Sequence, residues 1–172
     1  MVAASDSRGA IHNPAGLDIE ALAAHKQAGR PVSAFSDGQA VRIEALVAVP
    51  CDIWIPAARP DTLRPDNVQR LQAKLVLQGA NIPATEAAEQ WMHTHGILSV
   101  PDFVANAGGV ICAAVEYHGG TETGAFAMIE EKIRANTLET LERARRDGIL
   151  PRSAATQMAR SRVQEAMRYQ AP

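Results

Sequence analysis

The 172-residue sequence has few aromatic residues, two cysteines and no long apolar run. Cys51 and Cys112 stand far apart with no Cys-x-x-Cys pair, which favours free thiols in a reducing, cytoplasmic compartment over a disulfide framework. No stretch approaches the length of a transmembrane helix, and the first residues do not have the pattern of a signal peptide. The net charge of -2 gives no electrostatic reason to expect nucleic acid or an anionic membrane as a partner.

The sequence does contain short apolar segments that alternate with helical or polar segments, a pattern typical of α/β folds. The predicted strands are 2–5, 51–56, 73–78 and 97–100, with a further possible strand at 32–35. The predicted helical segments before residue 101 are 19–28, 43–47, 66–71 and 85–94, and 7–16 is a predicted loop. After residue 110 the pattern is helical, with a long helix ended by Gly148 and a last helix capped by Ser153.

The most informative stretch is 101–110, which reads PDFVANAGGV. An apolar run stops at Pro101, which cannot donate to a sheet ladder, and a small-residue helical segment follows. Asn106 offers both a donor and an acceptor, and the two adjacent glycines allow main chain to approach a flat ring closely. Because ligands of α/β proteins bind at the carboxyl ends of strands, this stretch predicts a binding site.

Two other predicted strands end in a similar way. Ala57 and Ala58 follow one strand, and Gly79-Ala80-Asn81 follows the next. Since parallel strands place their carboxyl ends on one edge of a sheet, we expect these residues to lie near Asn106. A single end of this kind would be compatible with an ordinary packed turn. His93 and His95 predict no metal site, because they point in different directions on a helix and have no third ligand.

Four blocks of the sequence, in order, resemble the nucleotide-binding domain of the glutamate/leucine/phenylalanine/valine dehydrogenases. They are SDS and NPAGLD in 5–18, CDIWIPAA in 51–58, GANIP in 79–83, and the stretch 101–110. The resemblance implies reversible oxidation of an L-amino acid to a 2-oxo acid and ammonia, with NAD or NADP as cofactor. It also implies a homo-oligomer, since members of the family commonly form hexamers.

The resemblance implies cofactor-binding roles at both ends of the ligand. Asp6 and Ser7 would lie near the adenine-side ribose, although a loop Asp is equally well explained as a turn former. Asp6 would repel the 2′-phosphate of NADP, and this repulsion favours NAD. The nearby Arg8 could reverse that preference. Ala57, Ala58, Gly79 and Asn81 would border the nicotinamide half of the cofactor. Asn106 would contact the nicotinamide ribose or the amino acid portion of the substrate.

The segment after the double glycine bears on the substrate. The resemblance implies substrate binding by Gly109, Val110 and Ala113. Glutamate-specific members have a serine at the fourth position after the glycines, and Ala113 occupies that position. Alanine cannot donate a hydrogen bond to a side-chain carboxylate, which weakens the case for glutamate and leaves room for an apolar amino acid.

Departures from the family pattern shape the predicted architecture. The sequence has no G-x-G-x-x-G motif, and none of its three lysines, Lys26, Lys74 and Lys132, stands in a matching catalytic motif. We therefore assign no catalytic residue and expect the isolated chain to be inactive. We expect a partial Rossmann-type doubly wound sheet lacking its first strand, followed by C-terminal helices. The predicted division is 1–120, a partial dinucleotide-binding domain, and 121–172, a helical segment packing on it.

Three origins fit such a chain: a fragment, a truncated reading frame or a degenerate copy. The alternative function is a non-catalytic nucleotide-binding remnant or an oligomerisation partner.

Overall fold

A computed structural model of the chain describes residues 1–169, which form two compact units. Unit 1 comprises Met1–Asp52 and Asp66–Ala73, and unit 2 comprises Ile53–Pro65 and the chain from Lys74 onward. These units divide the chain at points other than the predicted boundary near residue 120. The functional division into 1–120 and 121–172 stays a prediction.

Unit 1 is built on a three-stranded antiparallel sheet with the strand order β1-β2-β3. Its elements are Ala3–Asp6 (β1), Gly9–His12 (β2), Ile19–Gln27 (α1), Gln39–Val41 (β3) and short 3-10 helices at Val32–Ala34, Ile43–Ala48 and Val68–Arg70. The strand predicted at 2–5 is confirmed as β1, but it pairs with the antiparallel strand β2 and not with the parallel strands of unit 2.

Two predictions for unit 1 are wrong. The predicted loop at 7–16 contains β2, because the Asp6 carboxylate accepts the Arg8 N–H at 2.8 Å and closes a tight turn between β1 and β2. Ala10 and Ile11 are both fully buried, so this short strand shows no alternation of buried and exposed residues that the sequence could have revealed. The possible strand at 32–35 is a 3-10 helix that follows Pro31.

The core of unit 1 lies between its sheet and α1. Asp18 caps α1 by accepting the Ala21 N–H at 3.0 Å, which satisfies one of the free amides at the helix start. The buried core residues are Ile11, Leu17, Leu22 and Val32, with Ala4 and Phe35 packed against them. Unit 1 therefore has an apolar core of its own.

Unit 2 contains a three-stranded parallel sheet with the order β4-β5-β6 and five helices among its described residues. The elements are Ile53–Trp54 (β4), Leu75–Leu77 (β5), Glu86–Thr94 (α2), Leu98–Val100 (β6), Asp102–Ala105 (α3), Gly108–Tyr117 (α4), Glu122–Asp147 (α5) and Pro151–Tyr169 (α6). The predicted α/β class with C-terminal helices is confirmed, although each strand is shorter than predicted.

Local sequence explains where the helices of unit 2 begin and end. Thr85 caps α2 by accepting the Ala88 N–H at 3.2 Å, as predicted, and Gly148 ends α5 in a left-handed conformation with φ 63°. The predicted cap at Ser153 is wrong, because α6 already begins at Pro151. Proline suits the first helical position, where its missing N–H costs no hydrogen bond.

The core of unit 2 joins its sheet to the C-terminal helices. Val100, Val104 and Ala155 are buried there, and partly buried apolar residues surround them: Leu75, Leu77, Ala105 and Leu141. This core fixes the ends of β5 and β6 against α3 and α6. Within residues 1–169, no helix combines the length and apolar content needed to cross a membrane.

Candidate functional site

The carboxyl ends of the three parallel strands of unit 2 meet along one edge of the sheet, which we call the rim. Parallel pairing aligns Trp54 with Val76, and Leu77 with Val100. Beyond the strands, the Ala80 N–H donates to the carbonyl of Pro56 at 2.8 Å. The strand ends singled out from the sequence are therefore neighbours, as expected.

Two amide side chains of the rim contact each other directly. Asn106 Nδ2 donates to Asn81 Oδ1 at 2.9 Å, across 25 positions of sequence. Each asparagine carries two N–H donors and an oxygen with two lone pairs, so one bond leaves further capacity on both side chains. Asn81 is exposed and Asn106 is half-buried, which allows a ligand to reach the pair.

Small residues line the rim where β4 and β5 end. A Cβ added at Gly79 would lie 3.2 Å from the Ala57 Cβ, which is tighter than ordinary contact, and 3.6 Å from Ile55 Cγ2, which is an ordinary contact. Larger side chains at either position would therefore crowd this end of the sheet. Ala57, Ala58 and Gly79 are all exposed, so the surface they form is open to a flat ligand.

The predicted substrate residues lie on the first turns of α4. Gly109 and Val110 are exposed, and Val110 leaves 77% of its surface accessible. Ala113 follows Val110 by three positions, so the two share a helix face. No hydrogen bond in the described residues links this face to the asparagine pair, and its role stays a prediction.

Asp6 and Ser7 belong to unit 1, at the turn that joins β1 to β2. The Asp6 carboxylate binds the ammonium group of Lys26 and accepts the backbone N–H groups of Val32 at 3.0 Å and Arg8 at 2.8 Å. These contacts, above all the hydrogen bond from Lys26, hold the pKa of Asp6 well below its ordinary value. Asp6 therefore organises its own turn, while Ser7 is exposed.

A buried polar network that sequence reasoning missed lies beneath the rim of unit 2. Arg152 on α6 donates from Nε and Nη2 to both carboxylate oxygens of Glu89 at 2.7 and 2.8 Å, and from Nη2 to Gln78 Oε1 at 3.0 Å. Gln78 Nε2 in turn donates to Glu89 at 2.6 Å and to Ser99 Oγ at 3.0 Å. The network joins α6, α2 and the ends of β5 and β6.

Asp102 connects this network to the rim. One of its oxygens lies 2.9 Å from Arg152 Nη2, and the other accepts the Ile82 N–H at 2.8 Å. Burial alone would raise the pKa of Asp102, but the Ile82 N–H and the Arg152 guanidinium together hold that pKa below its ordinary value. Asp102 is therefore an ionised, buried group adjacent to the proposed ligand surface.

One sequence feature did point to Arg152. Arg152 does not lie on a solvated helix face, because its guanidinium binds the buried Glu89. A cation in the first turn of a helix opposes the helix dipole, so its presence directly after Pro151 indicates an acidic partner elsewhere. Glu89 is an acid in the first turn of α2, and its side chain is buried.

Comparison with known proteins decides the family. A family model described as glutamate/leucine/phenylalanine/valine dehydrogenase matches residues 1–171. The chain belongs to this family. A relative in it, the glutamate dehydrogenase of Aeropyrum pernix, is 37% identical over 143 residues, which are 80% of this chain and 34% of that protein. The chain thus spans about a third of the length of this curated dehydrogenase.

Solved structures of dehydrogenases share the fold of the chain. The hetero-hexameric glutamate dehydrogenase of Thermus thermophilus, in a leucine-bound form, matches with a TM-score of 0.81 and 25% identity, over 99% of this chain and 42% of that one. The L-tryptophan dehydrogenase of Nostoc punctiforme matches with a TM-score of 0.71 and 27% identity, over 88% of this chain and 43% of that one. The family uses NAD(P) cofactors.

Proposed function

We propose that this chain is the cofactor-binding part of an amino-acid dehydrogenase, which converts an L-amino acid reversibly to a 2-oxo acid and ammonia. The observation that carries the proposal is the Asn81–Asn106 pair, which stands at the carboxyl edge of a parallel sheet in a member of this family. Strand ends of this kind are where open α/β sheets bind their ligands.

The residues of the rim fit a nicotinamide dinucleotide. NAD or NADP would supply the hydride chemistry when bound. Asn81 and Asn106 have free hydrogen-bonding capacity for a carboxamide or ribose hydroxyls, and Ala57, Ala58 and Gly79 leave space for a flat ring. We assign no proton transfer to these groups, because amide and methyl side chains do not ionise.

For substrate specificity, we assign Gly109, Val110 and Ala113 to the substrate side of the site. The exposed Val110 and Ala113 present an apolar face with no hydrogen-bond donor for a side-chain carboxylate. This arrangement favours an apolar amino acid over glutamate. A relative of the chain is an L-tryptophan dehydrogenase, which supports the possibility of an apolar substrate in this fold.

For the cofactor, the preference for NAD over NADP rests on Asp6. Its carboxylate would repel a 2′-phosphate, but the ion pair with Lys26 offsets part of that charge. We therefore expect NAD to bind more tightly than NADP by less than about tenfold. Tighter binding of NADP would contradict the role of Asp6.

We also propose that the chain forms a homo-oligomer. Phe126 and Leu138 on α5 are 65% and 58% exposed, and large apolar side chains on a helix surface favour association. Sedimentation of the chain at several concentrations tests this, and a monomer at all of them would contradict it.

The cofactor proposal is tested by calorimetric titration of the folded chain with NAD and then NADP. Asn106→Ala should weaken binding about tenfold, since the lost hydrogen bonds are worth about 1–1.5 kcal/mol together. Asn136→Ala makes the same chemical change on α5 and should leave the affinity within about twofold of the unsubstituted chain. Equal affinities for the two variants, or no binding by the folded chain, would contradict the proposal.

A further inference from the structure

The residue after Asn81 has a backbone conformation that its side chain disfavours. Ile82 has φ 47°, and it and Asp61, with φ 51°, are the two non-glycine residues with positive φ in residues 1–169. A β-branched residue in this region is an outlier, because its side chain crowds the backbone there. The Ile82 side chain is 60% exposed, so burial in the core does not compensate for this cost.

Hydrogen bonds on both sides of Ile82 maintain that conformation. Its N–H donates to Asp102 Oδ2 at 2.8 Å, and its carbonyl accepts the Asp61 N–H at 2.9 Å. The two residues with positive φ are thus bonded directly to each other. Strain that surrounding contacts enforce in this way is typical of functional sites.

Asp102 also holds the other half of the amide pair. The Ile82 N–H belongs to the peptide group that follows Asn81, so the Asp102 carboxylate orients the main chain that carries Asn81. The main-chain carbonyl of Asp102 accepts the Asn106 N–H at 2.7 Å. The Asp102 carboxylate thus holds the backbone next to Asn81, while an ordinary helical main-chain bond places Asn106 one turn after Asp102, and the two asparagine side chains meet at 2.9 Å.

We propose that Asp102 is a positioning residue that sets the geometry of the Asn81–Asn106 pair, and that Arg152 restrains it from α6. Arg152 Nη2 lies 2.9 Å from Asp102 Oδ1, so the carboxylate cannot turn away from Ile82 without losing its ion pair. The C-terminal helix is thereby linked to the rim. The consequence for cofactor affinity rests on the proposed function, whereas the geometric role does not.

The test measures the asparagine pair directly, without a cofactor. Labelling only asparagine with ¹⁵N gives five side-chain NH2 groups to follow in the unsubstituted chain, because the sequence has five asparagines, and a sixth in Asp102→Asn. Hydrogen exchange of the Asn106 side-chain amide reports its bond to Asn81. Asp102→Ala should speed that exchange at least tenfold, while Asp102→Asn keeps an acceptor for the Ile82 N–H and should change it less than threefold.

Met92→Ala is the matched control, since Met92 is fully buried in α2 of the same unit and its truncation destabilises without touching the pair. Equal Asn106 exchange in Met92→Ala and Asp102→Ala, at matched global stability, would overturn the proposal. So would equally fast exchange in Asp102→Asn and Asp102→Ala.

A second background keeps the test decisive if Asp102→Ala does not fold. Ile82→Gly removes the φ penalty, because glycine adopts positive φ freely. Adding Asp102→Ala to Ile82→Gly should again speed Asn106 exchange at least tenfold, and no change would overturn the positioning role.

A separate arm measures NAD affinity, which Asp102→Ala should reduce about tenfold. If NAD fails to bind the unsubstituted chain, the proposed function is contradicted, and the Asn106 exchange still decides the role of Asp102.

Discussion

Arg152→Ala should lower the stability of unit 2 strongly, because it removes a shared partner of several buried polar groups. The guanidinium is the counter-ion of Glu89 and Asp102, whose side chains are 5% and 9% exposed. It also donates to the buried Gln78. Truncation to alanine would leave two buried carboxylates and an amide oxygen without this partner, and water reaches them poorly.

The magnitude follows from that burial. Removing one member of a buried ion pair typically costs about 3–5 kcal/mol, because the remaining charge stays desolvated. The Arg152 side chain itself is 29% exposed, so some water can enter the space it leaves. We therefore expect the free energy of unfolding to fall by about 3 kcal/mol, at the lower end of that range.

Urea denaturation followed by tryptophan fluorescence measures this quantity in the appropriate part of the chain. Both tryptophans, Trp54 and Trp91, belong to unit 2, as does the whole network. Arg134→Ala is the control, since Arg134 pairs with Glu130 at 3.0 Å on the surface, where both side chains are more than two-thirds exposed. The control should cost less than about 0.5 kcal/mol. A loss for Arg152→Ala within about 1 kcal/mol of the control would refute the reasoning.

Two further predictions concern acid and a crowded glycine. The pKa values of Asp6 and Asp102 are lowered in the folded chain. Each ionised carboxylate therefore stabilises the fold at pH values above its ordinary pKa of about 3.9. That stabilisation is lost as the pH falls below the ordinary pKa toward the lower pKa of the folded state. In urea titrations between about pH 6 and pH 3, Asp102→Asn should therefore reduce the dependence of the unfolding free energy of unit 2 on pH. An unchanged dependence would contradict this prediction. Gly9 has φ 148°, and a Cβ added there would lie 2.7 Å from the Ser33 Cβ. Gly9→Ala should therefore destabilise unit 1 by about 2 kcal/mol, measured by hydrogen exchange of the Ile11 backbone amide. The same change in a Ser33→Gly background should cost less, and equal costs would show that Ser33 is not responsible.

The sequence predicts the fold best where local chemistry and tertiary contacts agree. Thr85 and Gly148 mark helix ends in the sequence prediction and in the structure, because helix capping and the left-handed conformation of glycine depend on local sequence. The hairpin of β1 and β2 could not be predicted, since its turn depends on the Asp6 side chain and its strands hold only four residues each.

The candidate site also has a part that the sequence predicts and a part that only the structure shows. The strand ends at Gly79, Asn81 and Asn106 carry small and amide residues that together indicate a ligand site, and the structure brings them together. The partnership of Asp102 with Arg152 joins residues 50 positions apart, 102 and 152, and it depends on the packing of α6. Nothing in the local pattern around Arg152 identifies which acids it binds.

The most direct test of the account is to map NAD binding on the ¹⁵N-labelled chain by nuclear magnetic resonance. The account predicts that the largest chemical-shift changes occur at the amides of Gly79, Asn81 and Asn106, and that Asn106→Ala raises about tenfold the NAD concentration at which they are half complete. Changes confined to other residues of the folded chain, or no changes at millimolar NAD, would contradict the assignment of this rim as the cofactor site.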